Sequence, residues 1–376
     1  MRKARVLVVD DDADMRHAVG RVLGGRYQVE GFALPSDALA AAPEFQPDLA
    51  LLDVRMPEMD GYALLDALRR EVPDVDAIFM TGSVHETDRQ LIRAVRERAF
   101  YFLTKPFDRD VLLTLVERCL ELRTLQQAES RHRARMEREL REARAFQAGL
   151  LPPERAHLGR LRIEARWLPS TEVGGDLFDY VATPRGALMV LADVAGHGTS
   201  AAMLTGTVKS AFHAAAAASS DPAAVLVHIL NAIGLLAPDR HASAIAARID
   251  ADEGTIVYAN AGHPAGLIGR ADGTLERLES TGPILAPSFP LPAIWENRRL
   301  SLAAGEVVAF YSDGLTDCVS ARSPGFFDAG RVEAEVLAGG TAAAVVARVV
   351  AALDAFRDGR PLEDDVTVMA AELAKS

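Results

Sequence analysis

Cysteine is almost absent from this chain. Cys119 and Cys318 are the only two, which excludes a disulfide-stapled scaffold and points to a reducing compartment. No apolar run approaches the roughly 18 residues that a membrane-spanning helix needs. The opening MRKARVLVVDDDADMR lacks the long apolar stretch and cleavage site of a secretory signal. A cytoplasmic location and no membrane partner are therefore expected. An excess of positive charge is missing as well. The 376 residues carry 41 Lys+Arg against 53 Asp+Glu, a formal −12. This divides into −5 over residues 1–120, +2 over 121–150 and −9 over 151–376. No block has the field that nonspecific nucleic-acid binding requires, so no nucleic-acid partner is expected. A transcription factor would need a basic recognition helix, and Thr341–Arg357 is too alanine-rich and too nearly neutral to be one. What remains, with 49% hydrophobic and 25% charged residues, is a chain long enough for two or three globular domains.

Residues 5–120 alternate apolar runs (Arg5–Asp10, Tyr27–Phe32, Asp48–Asp53, Asp76–Thr81, Phe100–Lys105) with stretches of helical spacing. Those stretches are Met15–Leu23, Ser36–Ala42, Tyr62–Arg70, Glu86–Arg98 and Val111–Leu122. Five such units predict an α/β domain, a doubly wound five-stranded parallel sheet whose ligand site lies beyond the carboxyl ends of its strands. Residues 107–150 hold no proline, and no glycine before Gly149, and predict one long helix. Leu115, Leu122, Met136, Ala143 and Leu150 share a seven-residue register broken by Glu129. Leu125 and Phe146 share a companion seam with Arg118, His132 and Glu139. Such a seam fits either a solvated connector or a conditional coiled coil. Beyond it, strand-like runs recur at Leu161–Leu168, Ala187–Asp193, Ser243–Ile249, Thr255–Ala259, Val307–Tyr311 and Val366–Ala370. Helical stretches are grouped near Thr199–Ala218, Pro222–Leu236 and Ala342–Phe356, a pattern that predicts an α+β layered sandwich. The expected boundaries are 1–122, a helical linker 123–152, and 153–376.

Asp10 and Asp11 end the first run and Asp53 the third, an oxygen-rich set suited to Mg²⁺. Asp53 can then act as a nucleophile toward a phosphoryl donor, with Thr81 to hydrogen-bond one phosphoryl oxygen and Lys105 to neutralise another. A single acidic strand end is ordinarily just solvated; four matching ends argue for a site. The strings VLVVDDDADMR, LLDVRMPEMDGYALL, FMTGS and FYFLTKPF resemble the CheY-like receiver domain of bacterial response regulators across residues 4–122. The resemblance implies that Asp53 accepts phosphate from a sensor histidine kinase. It also implies that Asp10, Asp11, Asp53 and the Arg55 carbonyl hold Mg²⁺, that Thr81 and Lys105 are the switch and charge-relay positions, and that Phe102 is the aromatic switch. Arg98-Ala99 departs from the usual Gly-Ala before the last strand.

Four further acidic clusters lie in the C-terminal block: Gly174-Gly175-Asp176, Asp193 in ADVAGHG, Tyr311-Ser312-Asp313-Gly314, and Glu363-Asp364-Asp365. Each Asp-Gly alone is more often a turn. Their density at strand ends suggests a cleft for two hard divalent ions, too dispersed for an EF-hand. No GxxxxGK[ST] phosphate loop and no His-rich zinc spacing occurs, and Cys318 to Arg322 is too short for a cysteine-phosphatase loop. His197 and His263 sit on separate glycine-flanked turns, with a structural role at least as well supported as proton transfer.

The strings EVGGDLFDY, LADVAGHGTSAAML, YANAGHPAGL, FYSDGLTD and EDDVTVMAAEL resemble the PPM family of metal-dependent serine/threonine protein phosphatases, in the branch typified by SpoIIE and RsbU. REARAFQAGLLPPE resembles the helix and turn that precede the domain in that branch. The resemblance implies an α-β-β-α sandwich and two Mn²⁺ or Mg²⁺ ions. Asp176, Asp193, Asp313 and Asp364 become metal ligands, with the Val194 carbonyl as a fifth group. Asp365 stands where eukaryotic relatives have Asn, and His197 lies four residues after Asp193 rather than two. The expected protein is a two-component response regulator, homodimeric through its helical linker. Its expected output is dephosphorylation of phosphoserine or phosphothreonine proteins, with a phosphorylated STAS-domain anti-anti-sigma protein as the leading substrate. The alternative is a non-catalytic adaptor that captures a partner through a phosphatase-like domain.

Overall fold

A computed structural model describes residues 2–82, 101–171, 173–196, 198–288, 294–321 and 325–374. The helical stretch Glu86–Arg98, the Arg98-Ala99 turn and His197 lie outside the described residues. The chain divides into two compact units, Met1–Met136 and Glu137–Ser376.

In the first unit β1 (Arg5–Val9), β2 (Gln28–Phe32), β3 (Leu49–Asp53), β4 (Asp76–Thr81) and β5 (Tyr101–Thr104) form a parallel sheet in the order β2-β1-β3-β4-β5. The central strands are continuously apolar because helices cover both faces. One face packs Leu7, Val9, Leu52 and Phe79 under α2 (Pro35–Phe45) and α3 (Gly61–Glu71). The other packs Val6, Val8, Leu51 and Ile78 under α1 (Ala13–Leu23) and the start of α4 (Arg109–Leu150). Asp12 caps α1 by accepting from the Asp14 and Met15 amides, and Asp60 caps α3 through the Ala63 amide. These caps fix the two loops that leave β1 and β3. The 42-residue α4 runs without interruption, as its lack of internal proline predicts. Leu112, Val116 and Cys119 bury its first turns, and Arg123 ion-pairs with Asp76 at 3.2 Å.

The second unit holds two antiparallel sheets. One has the order β14 (Arg298–Ser301), β11 (Thr255–Ala261), β10 (Ala242–Asp250), β9 (Gly186–Val194), β8 (Asp176–Thr183). The other has the order β13 (Leu275–Leu278), β12 (Gly266–Gly269), β15 (Val307–Tyr311), β16 (Val366–Leu373), β7 (Leu161–Leu168), β6 (Arg155–Leu158). Their inner faces share a core that includes Phe178, Leu191, Ile245, Tyr258, Phe310 and Met369. Outside the first sheet lie α5 (Thr199–Ala218) and α6 (Pro222–Leu236). A short helix, α7 (Asp313–Thr316), follows β15, and α8 (Ala329–Leu337) and α9 (Ala342–Arg357) cover the second sheet. The layers are α-β-β-α, as the resemblance implied. This layering matters for chemistry because the open end of the β8–β9 hairpin, the end of β15 and the start of β16 border one cavity.

Candidate functional site

At the carboxyl edge of the parallel sheet, Asp10 is fully buried, Asp53 nearly so and Asp11 exposed. A ligand atom from each lies within 4.8 Å of the others. Lys105 spans the site, its Nζ 2.6 Å from Asp10 Oδ2 and 2.5 Å from Asp53 Oδ1. Burial pushes the Asp10 pKa up, against the Lys105 hydrogen bond. Burial opposes the Lys105 charge, but its two carboxylate partners hold its pKa above the ordinary value. The Arg55 amide donates to Asp53 Oδ2 at 3.1 Å, and the Lys105 amide to the Thr81 carbonyl at 2.7 Å. Thr81 is buried at the end of β4. Gly61 is required where it stands, because a Cβ there would come 2.4 Å from the Asp53 carbonyl. Phe102 packs on Phe79, ring centroids 5.7 Å apart. An all-oxygen trio facing one ammonium fits Mg²⁺, which takes one or two carboxylates plus water and phosphate oxygens.

The second site is built on strand pairing. Asp176 opens β8 and is the register partner of Asp193 near the end of β9. Asp313 follows β15, and Asp364-Asp365 precede β16. Asp193, Asp313 and Asp364 border a cavity of about 330 Å³ with Gly196, Ser243 and Ile284. Asp176 lies behind them, fully buried, and accepts from Thr367 Oγ1 at 2.6 Å. Burial, then the Asp193 charge, hold the Asp176 pKa well above the ordinary value. Asp193 is pushed up to about 7 by burial and by Asp313, Asp364 and Asp365. Asp313 is raised by burial and by Asp364. Carboxylates forced together out of water call for compensating cations, and their donor set suits hard divalent ions. The receiver trio is the group, among the described residues, whose ligand atoms fall within 4.8 Å of one another. The cleft carboxylates do not form such a close group.

Further buried polar groups lie in or near this site, of which sequence reasoning singled out neither Gln147 nor Asp179. Asp365 is nearly buried; its Oδ1 accepts from the Ser170 amide at 2.8 Å and its Oδ2 from the Gly175 amide at 2.6 Å. It therefore clasps the loop leading to Asp176. Gly175 is tightly held, since a Cβ there would lie 2.7 Å from the Val194 carbonyl. Gln147, in the last turns of α4, is 3% exposed. Its side chain accepts from the Gly174 amide at 2.9 Å and donates to the Gly174 carbonyl at 2.6 Å. Its position one helical turn from Ala143 and Leu150 was the available signal. Asp179, 1% exposed, pairs with Lys209 and with His213 across to α5; nothing in FDY announced a buried ion cluster. His263 is buried, its Nδ1 2.7 Å from Ser243 Oγ, and burial lowers its pKa to about 3. Its backbone amide donates to Asn260 Oδ1 at 2.8 Å, which anchors the turn.

The family model for stage II sporulation protein E matches residues 183–374, half of the chain. The chain belongs to the SpoIIE family. A second model, the response regulator receiver domain, matches residues 6–117 of this SpoIIE-family chain. The solved SiaA-PP2C domain of Pseudomonas aeruginosa superposes with a TM-score of 0.57 at 23% identity, covering 64% of this chain and 98% of that one; it shares the fold. The transcriptional regulator NtrC of Proteus hauseri is 37% identical over 121 residues, 32% of this chain and 25% of NtrC. NtrC of Salmonella typhimurium is 38% identical over 121 residues. The chain spans about a quarter of the length of these curated relatives. A receiver domain is thus joined to a SpoIIE-type PPM phosphatase domain. Among the described residues, no helix is long and apolar enough to cross a membrane.

Proposed function

We propose that this chain is a two-component response regulator whose output is metal-dependent dephosphorylation of phosphoserine or phosphothreonine proteins. The observation that carries this reading is the cleft itself: four aspartates from the ends of four strands, three of them bordering one cavity and Asp176 buried behind, held against their own repulsion. Asp176, Asp193, Asp313, Asp364 and the Val194 carbonyl would hold two Mn²⁺ or Mg²⁺ ions. Bound there, such ions lower the pKa of water and neutralise phosphoryl oxygens. The chain's own part is to fix the cage: Thr367 holds Asp176, and Asp365 and Gln147 hold the Gly174-Gly175 loop in front of it. An adaptor would have no use for all four carboxylates.

On the input side, Asp53 would accept a phosphoryl group from the phosphohistidine of a sensor kinase, and Asp10, Asp11, Asp53 and the Arg55 carbonyl would hold Mg²⁺. Lys105, now engaged by Asp10 and Asp53, and Thr81 then turn toward the phosphoryl oxygens, and Phe102 follows. Residues 1–122 form the input, 153–376 the output, and 123–152 the segment that couples them, paired in a homodimer. The substrate that this family suggests is a phosphorylated STAS-domain anti-anti-sigma protein. The purified chain should release phosphate from such a protein with Mn²⁺ and not in EDTA. A small phosphodonor should change that rate by about 5–150-fold, the usual range of allosteric coupling. Tight binding of the phosphoprotein without turnover would favour the adaptor.

A further inference from the structure

The turn that leaves β9 is fixed from the start of β10. The Ala195 amide donates to the His241 carbonyl at 3.0 Å. The half-buried Arg240 guanidinium donates through Nη1 to the Ala195 carbonyl at 3.0 Å, and through Nη2 to Ser200 Oγ at 3.2 Å. In a planar trans peptide the N–H and C=O point in opposite directions. Tying the Ala195 N–H to His241 therefore turns the Val194 carbonyl away from β10, to where a Cβ on Gly175 would approach it at 2.7 Å. Room for the guanidinium comes from Gly196, at φ 102°, where a Cβ would meet Nη1 at 2.5 Å. Two successive peptide groups next to Asp193 are thereby clamped, one by a charge-assisted hydrogen bond of the stronger kind.

We propose that Arg240 is a positioning residue for the metal cradle, holding the Asp193–Val194–Ala195 turn so that the Asp193 carboxylate and the Val194 carbonyl face their ions. The inference rests on reading the cleft as a metal site. Supporting groups of this kind change metal affinity by about 10–100-fold when removed. The test is Mn²⁺ titration calorimetry on the full chain in an Asp11→Asn background, which weakens the receiver's contribution, alongside the melting temperature in EDTA. Arg240→Gln should bind Mn²⁺ about 10–100-fold more weakly, with its melting temperature in EDTA unchanged. Arg240→Lys should fall between, because an ammonium still reaches the Ala195 carbonyl but cannot also hold Ser200. An isotherm for Arg240→Gln that superimposes on the parent's overturns the inference while leaving the cleft reading intact. A parent chain that takes up no Mn²⁺ sensitive to Asp313→Asn overturns the cleft reading and this inference together. If Arg240→Gln melts early without metal, Arg240→Lys decides, and a parental isotherm there overturns the inference.

Discussion

Replacing Asp193 with Asn removes one charge from the cleft and preserves its shape. Burial and the neighbouring carboxylates push the Asp193 pKa from 3.8 to about 7. Because the folded value is the higher one, the metal-free folded state binds more protons than the unfolded state between those limits. The contribution of this group to stability is therefore fully present below about pH 4 and is lost as pH rises to about 7. At about 1.4 kcal/mol per pH unit the ceiling is about 4 kcal/mol. The neighbouring carboxylates titrate together with Asp193, so an effect of about 1–3 kcal/mol is expected. At pH 8 in EDTA, Asp193→Asn should thus be more stable than the wild type, by about 2–10 °C for a unit of this size. Mn²⁺ at about 100 times its Kd should add about 2.7 kcal/mol to the wild type and far less to the variant. Near pH 4 in EDTA the two proteins should converge, since the wild-type carboxyl is then largely protonated. Scanning calorimetry at both pH values, with and without Mn²⁺, makes the comparison. A variant less stable than the wild type at pH 8 in EDTA, or a difference independent of pH, would refute the electrostatic account of the cleft.

Three more outcomes are expected. A small phosphodonor with Mg²⁺ should place one acid-labile phosphoryl group on the chain, and Asp53→Ala should abolish it; persistent labelling would move the acceptor elsewhere. Gln147→Leu leaves the Gly174 amide and carbonyl without their partner, at about 1–3 kcal/mol per buried group, and should lower both melting temperature and phosphatase rate; wild-type values for both would leave Gln147 without a role in the cleft. Glu129→Leu completes one heptad seam and should favour the paired helix, making activity largely independent of Asp53 phosphorylation; light scattering and rates with and without phosphodonor check this, and a wild-type response would reduce the segment to a tether.

The receiver site was legible because a parallel sheet places its chemistry by rule: Asp10, Asp53, Thr81 and Lys105 each end or follow a strand. Strands buried on both faces read as apolar runs, so their ends were sharp. In the second unit, Leu161–Leu168 and Val307–Tyr311 were equally clear, and so were α5 and α6. Strand β8 was not, because DLFDYVAT carries two aspartates that point into buried polar contacts rather than water. The four-residue strands β6, β12, β13 and β14 are too short to show alternation. Acidic residues beside glycines pointed to the candidate metal ligands, whereas Gln147 and Asp179 are single polar residues in largely apolar stretches, and nothing local shows what they bond. Their burial depends on contacts with residues such as Gly174 and Lys209, far away in sequence.

The most direct test of the central claim is the rate of phosphoester hydrolysis by the purified chain and by Asp313→Asn, in Mn²⁺ and in EDTA. Asp313 borders the cavity beside Asp364, and Asn in its place keeps the shape while removing one charge from the shared cage. The account predicts turnover of p-nitrophenyl phosphate, and faster turnover of a phosphoserine protein, by the wild type in Mn²⁺, none in EDTA, and a loss of at least ~100-fold in the variant. Full activity in Asp313→Asn, or activity undiminished by EDTA, would contradict it.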